Sequence, residues 1–185
     1  MCRKWLLRLG LFFMYSCWTG VVPAQGLDFE SVGKGTLWGQ HTFNDILQDQ
    51  QGFIWLATWT GLVRFDGQSG DTYTQAPGDL RGLQDNKFTC LYEDSKGRIW
   101  AGALFSGFYQ YIREADTFRH YQHDPVNPNS LSSNKVWAIL EDDYGHLWIG
   151  TENGLNQFDP ETGNFRHIGK TNNARKGLTH EFVYS

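Results

Sequence analysis

The stretch Ile139–Asp159, ILEDDYGHLWIGTENGLNQFD, decides the fold because two earlier stretches match it anchor for anchor. Ile46–Asp66 reads ILQDQQGFIWLATWTGLVRFD, and Leu91–Ile112 reads LYEDSKGRIWAGALFSGFYQYI. Asp49, Asp94 and Asp142 each stand three residues before a glycine (Gly52, Gly97, Gly145), and Trp55, Trp100 and Trp148 follow three residues after it. Gly61, Gly107 and Gly154 come next, each four residues before an aromatic: Phe65, Tyr111 and Phe158. Successive tryptophans lie 45 and 48 residues apart. Self-similarity at that period marks a repeat array.

Within one period the sequence divides into four short pieces. In the third copy Val136–Glu141 is an apolar run, Asp142–His146 a turn, and Leu147–Thr151 a second run. Glu152-Asn153-Gly154 then turns into Leu155–Asp159, and Pro160-Glu161-Thr162-Gly163 turns into Asn164–Ile168. Such pieces are too short, and too rich in aromatic and β-branched residues, for helices. Four antiparallel strands in about 45 residues predict an all-β fold made of β-propeller blades. The expected blades cover about 37–76, 83–122 and 131–169, with a fourth beginning at 178.

The recurring residue types follow from packing. A blade is covered on both faces by its neighbours, so its second strand is apolar nearly throughout, as LWIGT is. A tryptophan fills the wedge between blades, burying on the order of 150–250 Å². The aspartates can accept backbone N–H bonds and hold their turns. Their recurrence in every unit marks Asp49, Asp94 and Asp142, with the glycines and tryptophans above, as structural anchors; no residue is expected to be catalytic. Fourth-strand aromatics are read at Tyr73, Phe118 and Phe165, each ahead of the next unit's first strand at Phe88, Val136 and Val183.

Composition narrows the setting. Aromatic content of 16% and 21 glycines suit short strands and tight turns. Residues 1–24 read as a secretory signal peptide: Arg3, Lys4 and Arg8 precede the apolar stretch Leu9–Trp18, and Val22-Pro23-Ala24 offers a cleavage site before Gln25. Lipidation at Cys17 is an alternative, for which Met14-Tyr15-Ser16 and Trp18 are poor neighbours. Without the three leader cations, 13 Lys+Arg face 20 Asp+Glu, a balance of −7 that excludes an electrostatic nucleic-acid binder. Cys90 is then the lone cysteine and reads as a small buried hydrophobe. Phase adds that Leu27–Val32 is an orphan fourth strand, while GLTHEFVYS (177–185) repeats the lead-ins GLQDNKFTC and SLSSNKVWA. Three blades plus two fragments predict the amino-terminal part, 25–185, of a longer, seven-bladed ring.

The pattern D-x-x-G-x-[IL]-W-x-[AG] followed by G-[LF]-x-x-[FY] resembles the two-component-regulator propeller repeat, over essentially the whole exported chain. Ala57 and Ala101-Gly102-Ala103 depart from the usual W-x-G-T, and the second copy carries one extra residue before Gly107. The resemblance implies an extracytoplasmic sensor, periplasmic and membrane-anchored, that passes a signal to a histidine kinase or diguanylate cyclase module not visible in the sequence. It also implies an oligosaccharide or other small ligand; no cofactor is expected, and neither the lone Cys90 nor the spacing of the histidines, His120 and His123 included, suggests a metal site.

A ligand would sit on the disc face shared by the second-to-third loops and the blade-to-blade loops. Trp59, Phe105 and Asn153 lie in the former and Asn86, Asn134 and His180 in the latter. Trp59 and Phe105 have no counterpart in the third copy, where Asn153 is read in their place. Non-repeating loop aromatics suit sugar stacking, with asparagines as hydrogen-bond partners; the alternative is that the two rings only cap neighbouring blades. Two rival functions are a protein-interaction scaffold and a sialidase-like or lyase enzyme. The enzyme lacks a carboxylate pair that stands apart from the repeat turns.

Overall fold

Each repeat is one antiparallel four-stranded meander in the computed structural model, which describes residues 42–75, 78, 81–169 and 183. The expected signal peptide, Cys17, the expected orphan strand at 27–32 and most of the expected fourth lead-in lie outside the described residues. Blade 1 comprises β1 (Phe43–Gln48), β2 (Ile54–Thr58), β3 (Gly61–Phe65) and β4 (Gly70–Tyr73). Blade 2 comprises β5 (Phe88–Glu93), β6 (Ile99–Ala103), β7 (Phe108–Ile112) and β8 (Thr117–Tyr121). Blade 3 comprises β9 (Val136–Glu141), β10 (Leu147–Thr151), β11 (Gly154–Asp159) and β12 (Asn164–Ile168). Strand order follows sequence order in every sheet, and the three sheets match propeller blades.

The core lies between blades. One face of blade 1 gives Trp55, Ala57, Leu62 and Tyr73 to a cluster completed by Phe88, Leu91, Ile99, Tyr109, Tyr111 and Phe118 of blade 2. The next interface repeats the plan, with Trp100 and Phe108 of blade 2 against Ile139, Leu147, Ile149, Phe158 and Phe165 of blade 3. The rings meet edge to face, Trp55 on Tyr111 at 4.8 Å and Trp100 on Phe158 at 5.7 Å, the arrangement their quadrupoles favour. Val183 stands against Gly150 as Val136 stands against Gly102.

The anchor aspartates close each first turn in the same way. One carboxylate oxygen of Asp94 accepts the backbone N–H groups of Lys96 (3.0 Å) and Arg98 (2.9 Å), and the other accepts the Trp100 indole N–H at 2.9 Å. Asp49 serves Gln51, Phe53 and Trp55 in the same way, and Asp142 serves Tyr144, His146 and Trp148. A six-residue interval thus couples the turn to the interface ring. Adjacent turns are also joined: Glu93 accepts the Gln50 N–H and Glu141 accepts the Ser95 N–H.

At Asp142 and Asp49 these bonds favour the ionised carboxyl. Burial raises the pKa of Asp142, but the Trp148 indole and the His146 and Tyr144 backbone N–H groups outweigh it and hold the group at about 2. Asp49 is lowered on the same balance, burial opposed by Trp55, Arg113 and Phe53. A carboxyl depressed in the folded state stabilises it above the unfolded pKa of about 3.9, and that contribution drains away as pH falls towards the folded value. The denaturation midpoint is therefore expected to drop between about pH 5 and pH 2. Asp142→Asn should lower the midpoint at neutral pH and flatten this acid limb; an unchanged limb would refute the assignment.

A bulge in every inner strand was not anticipated from sequence. The register slips at Phe43/Asp45, at Phe88/Cys90 and opposite Gly150/Thr151, leaving Asn44, Thr89 and Trp137 as the extra residues. Two of these side chains bridge to the next blade, Asn44 Nδ2 donating to Phe88 O at 2.7 Å and Thr89 Oγ1 to Val136 O at 2.6 Å. One alignment is corrected. Tyr73 pairs with Leu62, as Tyr121 pairs with Phe108, whereas Phe118 and Phe165 pair with Tyr111 and Phe158. Tyr73 therefore faces the following blade and Phe118 the preceding one. Cys90 is buried beside Gly102, where burial pushes its thiol up to about 12.

Candidate functional site

In a meander the second-to-third loops and the blade-to-blade connections emerge at one end of each sheet. There Thr58 builds the blade 1 turn, its Oγ1 accepting the Thr60 N–H at 3.0 Å and donating to Gly61 O at 2.8 Å. Trp59 is held at the apex, 56% exposed. Thr151 repeats the arrangement with Asn153 and Gly154 in blade 3.

Blade 2 has Ala103 at the threonine position and one more residue in the turn. Its loop is held from outside instead. Asp85 Oδ2 accepts the Phe105 N–H at 3.0 Å, while Oδ1 accepts the Asn86 and Lys87 N–H groups. The Lys87 carbonyl accepts the Leu104 N–H at 2.8 Å. These bonds fix Phe105, 55% exposed, beside the start of β5.

Lys87 joins the two rings. Its ammonium lies 6.0 Å from the Trp59 ring centroid and 5.4 Å from that of Phe105, within reach of a cation–π attraction to both. The structure thus brings together Trp59 and Phe105 from different blades, around a lysine that sequence reasoning did not single out. Lysine recurs at that position as Lys135, so it read as part of the repeat.

The asparagines are placed otherwise. Asn86 Oδ1 accepts the Gln75 N–H at 2.5 Å, and Asn134 Oδ1 accepts the His123 N–H at 2.6 Å, one loop-closing bond made in two repeats. Asn153 donates its side-chain N–H to Ser132 O at 3.3 Å. Strand pairing of Thr58 with Gly61 and of Thr151 with Gly154 puts Glu152, not Asn153, in the place of Trp59. The expected equivalence is corrected accordingly, because the shared turn is counted from the threonine. His180 lies outside the described residues.

Other polar groups are engaged locally. His120 stacks on Tyr109 with centroids 4.5 Å apart and bonds the Ser106 carbonyl, and His123 Nδ1 meets Leu131 O at 2.7 Å. On the opposite face Glu161 bridges Lys96 and Arg98 of blade 2, and Arg113 reaches back to Asp49 of blade 1 at 3.1 Å. Among the described residues no three His, Cys, Asp or Glu side chains group as metal ligands would. No helix among them is long and apolar enough to cross a membrane.

Comparison with known proteins agrees with this geometry. Residues 36–60, 82–104 and 130–153 match the family described as two component regulator propeller. The extracellular domain of a protein assigned as a hybrid two-component system in B. thetaiotaomicron is 30% identical over 78% of this chain and 20% of its own, with a TM-score of 0.71. A second such domain from the same organism is 25% identical over 78% of this chain and 21% of its own, with a TM-score of 0.61. Virginiamycin B lyase from Staphylococcus aureus shares the fold alone, at 15% identity over 74% of this chain and 44% of its own and a TM-score of 0.55. Among curated proteins none matches. The chain spans about a fifth of the length of the extracellular domains it resembles.

Proposed function

We propose that this chain, three stretches of which match the two component regulator propeller family, is the ligand-sensing segment of an exported bacterial receptor, reading an oligosaccharide on its loop face. The carrying observation is the pair Trp59 and Phe105, both more than half exposed and drawn to one lysine from two blades. Large rings kept in water at a blade junction forgo the burial that Trp55, Trp100 and Phe158 obtain. Stacking on the apolar face of a sugar ring would recover it.

The receptor reading also draws on blade 1. Ile46 is 67% exposed, and with Phe43, Ile54, Leu56 and Phe65 it lines an apolar concavity of about 600 Å³ on the face equivalent to those that blades 2 and 3 bury. A further blade of a larger propeller would cover it. Binding would be passed across the membrane to a kinase or cyclase module, with no catalysis in this segment and no cofactor.

The test is a thermal-shift screen of the full-length protein against plant and host oligosaccharides, repeated with Trp59→Ala. A stabilising glycan whose shift is lost in Trp59→Ala, with the unliganded melting temperature unchanged, is the expected outcome. A shift equal in both proteins would move the site elsewhere.

A further inference from the structure

We infer that the Trp59–Lys87–Phe105 site selects an acidic glycan, one carrying a carboxylate or a sulfate ester, with the Lys87 ammonium as the partner of the anion. This rests on the sugar-sensing reading and narrows its ligand class.

Two repeats differ in how this lysine is partnered. Lys87 and Lys135 each directly precede the first strand of a blade, and each gives its carbonyl to a loop N–H, from Leu104 at 2.8 Å and Glu152 at 3.1 Å. Lys135 is neutralised by Glu152, Nζ to Oε2 at 2.8 Å. Where blade 3 has Glu152, blade 1 has Trp59 and blade 2 has Leu104, so the carboxylate is replaced by apolar side chains.

Among the described residues no carboxylate forms an ion pair with Lys87. The acid nearest in its own loop, Asp85, is committed to the N–H groups of Asn86, Lys87 and Phe105. Two ring faces attract the ammonium but accept no conventional hydrogen bond, and its three donors remain. A ligand completing this site brings a flat apolar surface for the rings and an anion for the lysine. A sugar bearing a carboxylate or sulfate has both. A neutral sugar would use only the rings.

Calorimetric titration of the full-length protein with size-matched uronate-containing, sulfated and neutral oligosaccharides tests this in wild type, Lys87→Gln and Trp59→Ala. Tighter binding of an acidic glycan is expected, weakening as salt is raised. Lys87→Gln should lower that affinity roughly tenfold and lower neutral binding by less, so that the acid-to-neutral ratio falls. The arm that binds identifies carboxylate or sulfate. An acid-to-neutral ratio that Lys87→Gln does not change overturns the inference, and the sugar reading survives it if Trp59→Ala still weakens both ligands. No binding by any glycan, or no effect of Trp59→Ala, overturns the two together.

Discussion

Trp100→Ala is expected to destabilise the fold by about 3–5 kcal/mol, the range for truncating a fully buried aromatic. The indole is 0% exposed and touches Phe108 and Tyr121 of its own blade and Phe158 of the next, so its loss opens a void at the interface itself. It also deprives Asp94, whose side chain is fully buried, of one of its donors. Trp100→Phe separates the two effects. It keeps most of the ring and removes only the N–H, for which about 1–3 kcal/mol is expected from a buried acceptor left short of a partner. Equilibrium denaturation of the full-length protein reads both. A Trp100→Phe cost equal to that of Trp100→Ala would mean that the Asp94 bond, not the filling of the wedge, holds the blades together.

The elements most legible in the sequence are those in which one physical demand recurs with one residue type. A hairpin that must accept two backbone N–H groups is met by aspartate each time, and an interface wedge is met by tryptophan, so Asp94 and Trp100 could be read from spacing alone. The inner-strand bulge was invisible because its extra residue is Asn44, Thr89 or Trp137, so no residue type repeats. Tyr73 was misplaced because aromatic identity does not report which face a strand residue occupies. Its register lies three positions from that of Phe118, and an odd offset reverses the face. Trp59 and Phe105 stood out by failing to repeat. Lys87 was hidden by repeating, since only the neighbour of Lys135, not the lysine, changes between blades.

The second large effect is expected at Gly107, where alanine should cost several kcal/mol while the same change at Gly97 costs only about 1–2 kcal/mol. Both glycines have positive φ, +89° and +74°, so a Cβ is strained at either. They differ in what surrounds that Cβ. At Gly97 the nearest atoms are side-chain oxygens of Gln50 and Glu93, each 3.7 Å away and able to turn aside. At Gly107 a Cβ would lie 2.2 Å from the Tyr121 carbonyl oxygen, which belongs to the strand paired with β7 and cannot retreat without opening that ladder. The glycine is further pinned by its N–H to Asn134 O and by its carbonyl, which accepts the Ala103 N–H, both at 2.8 Å. Gly61 meets Tyr73 O at 2.3 Å and Gly154 meets Ile168 O at 2.9 Å in the same place, so the expected order of cost is Gly107 and Gly61, then Gly154, then Gly97. Denaturation midpoints of the four alanine variants test the order. Equal costs at Gly107 and Gly97 would show that backbone conformation alone, and not the close approach of the outer strands, requires glycine in this turn.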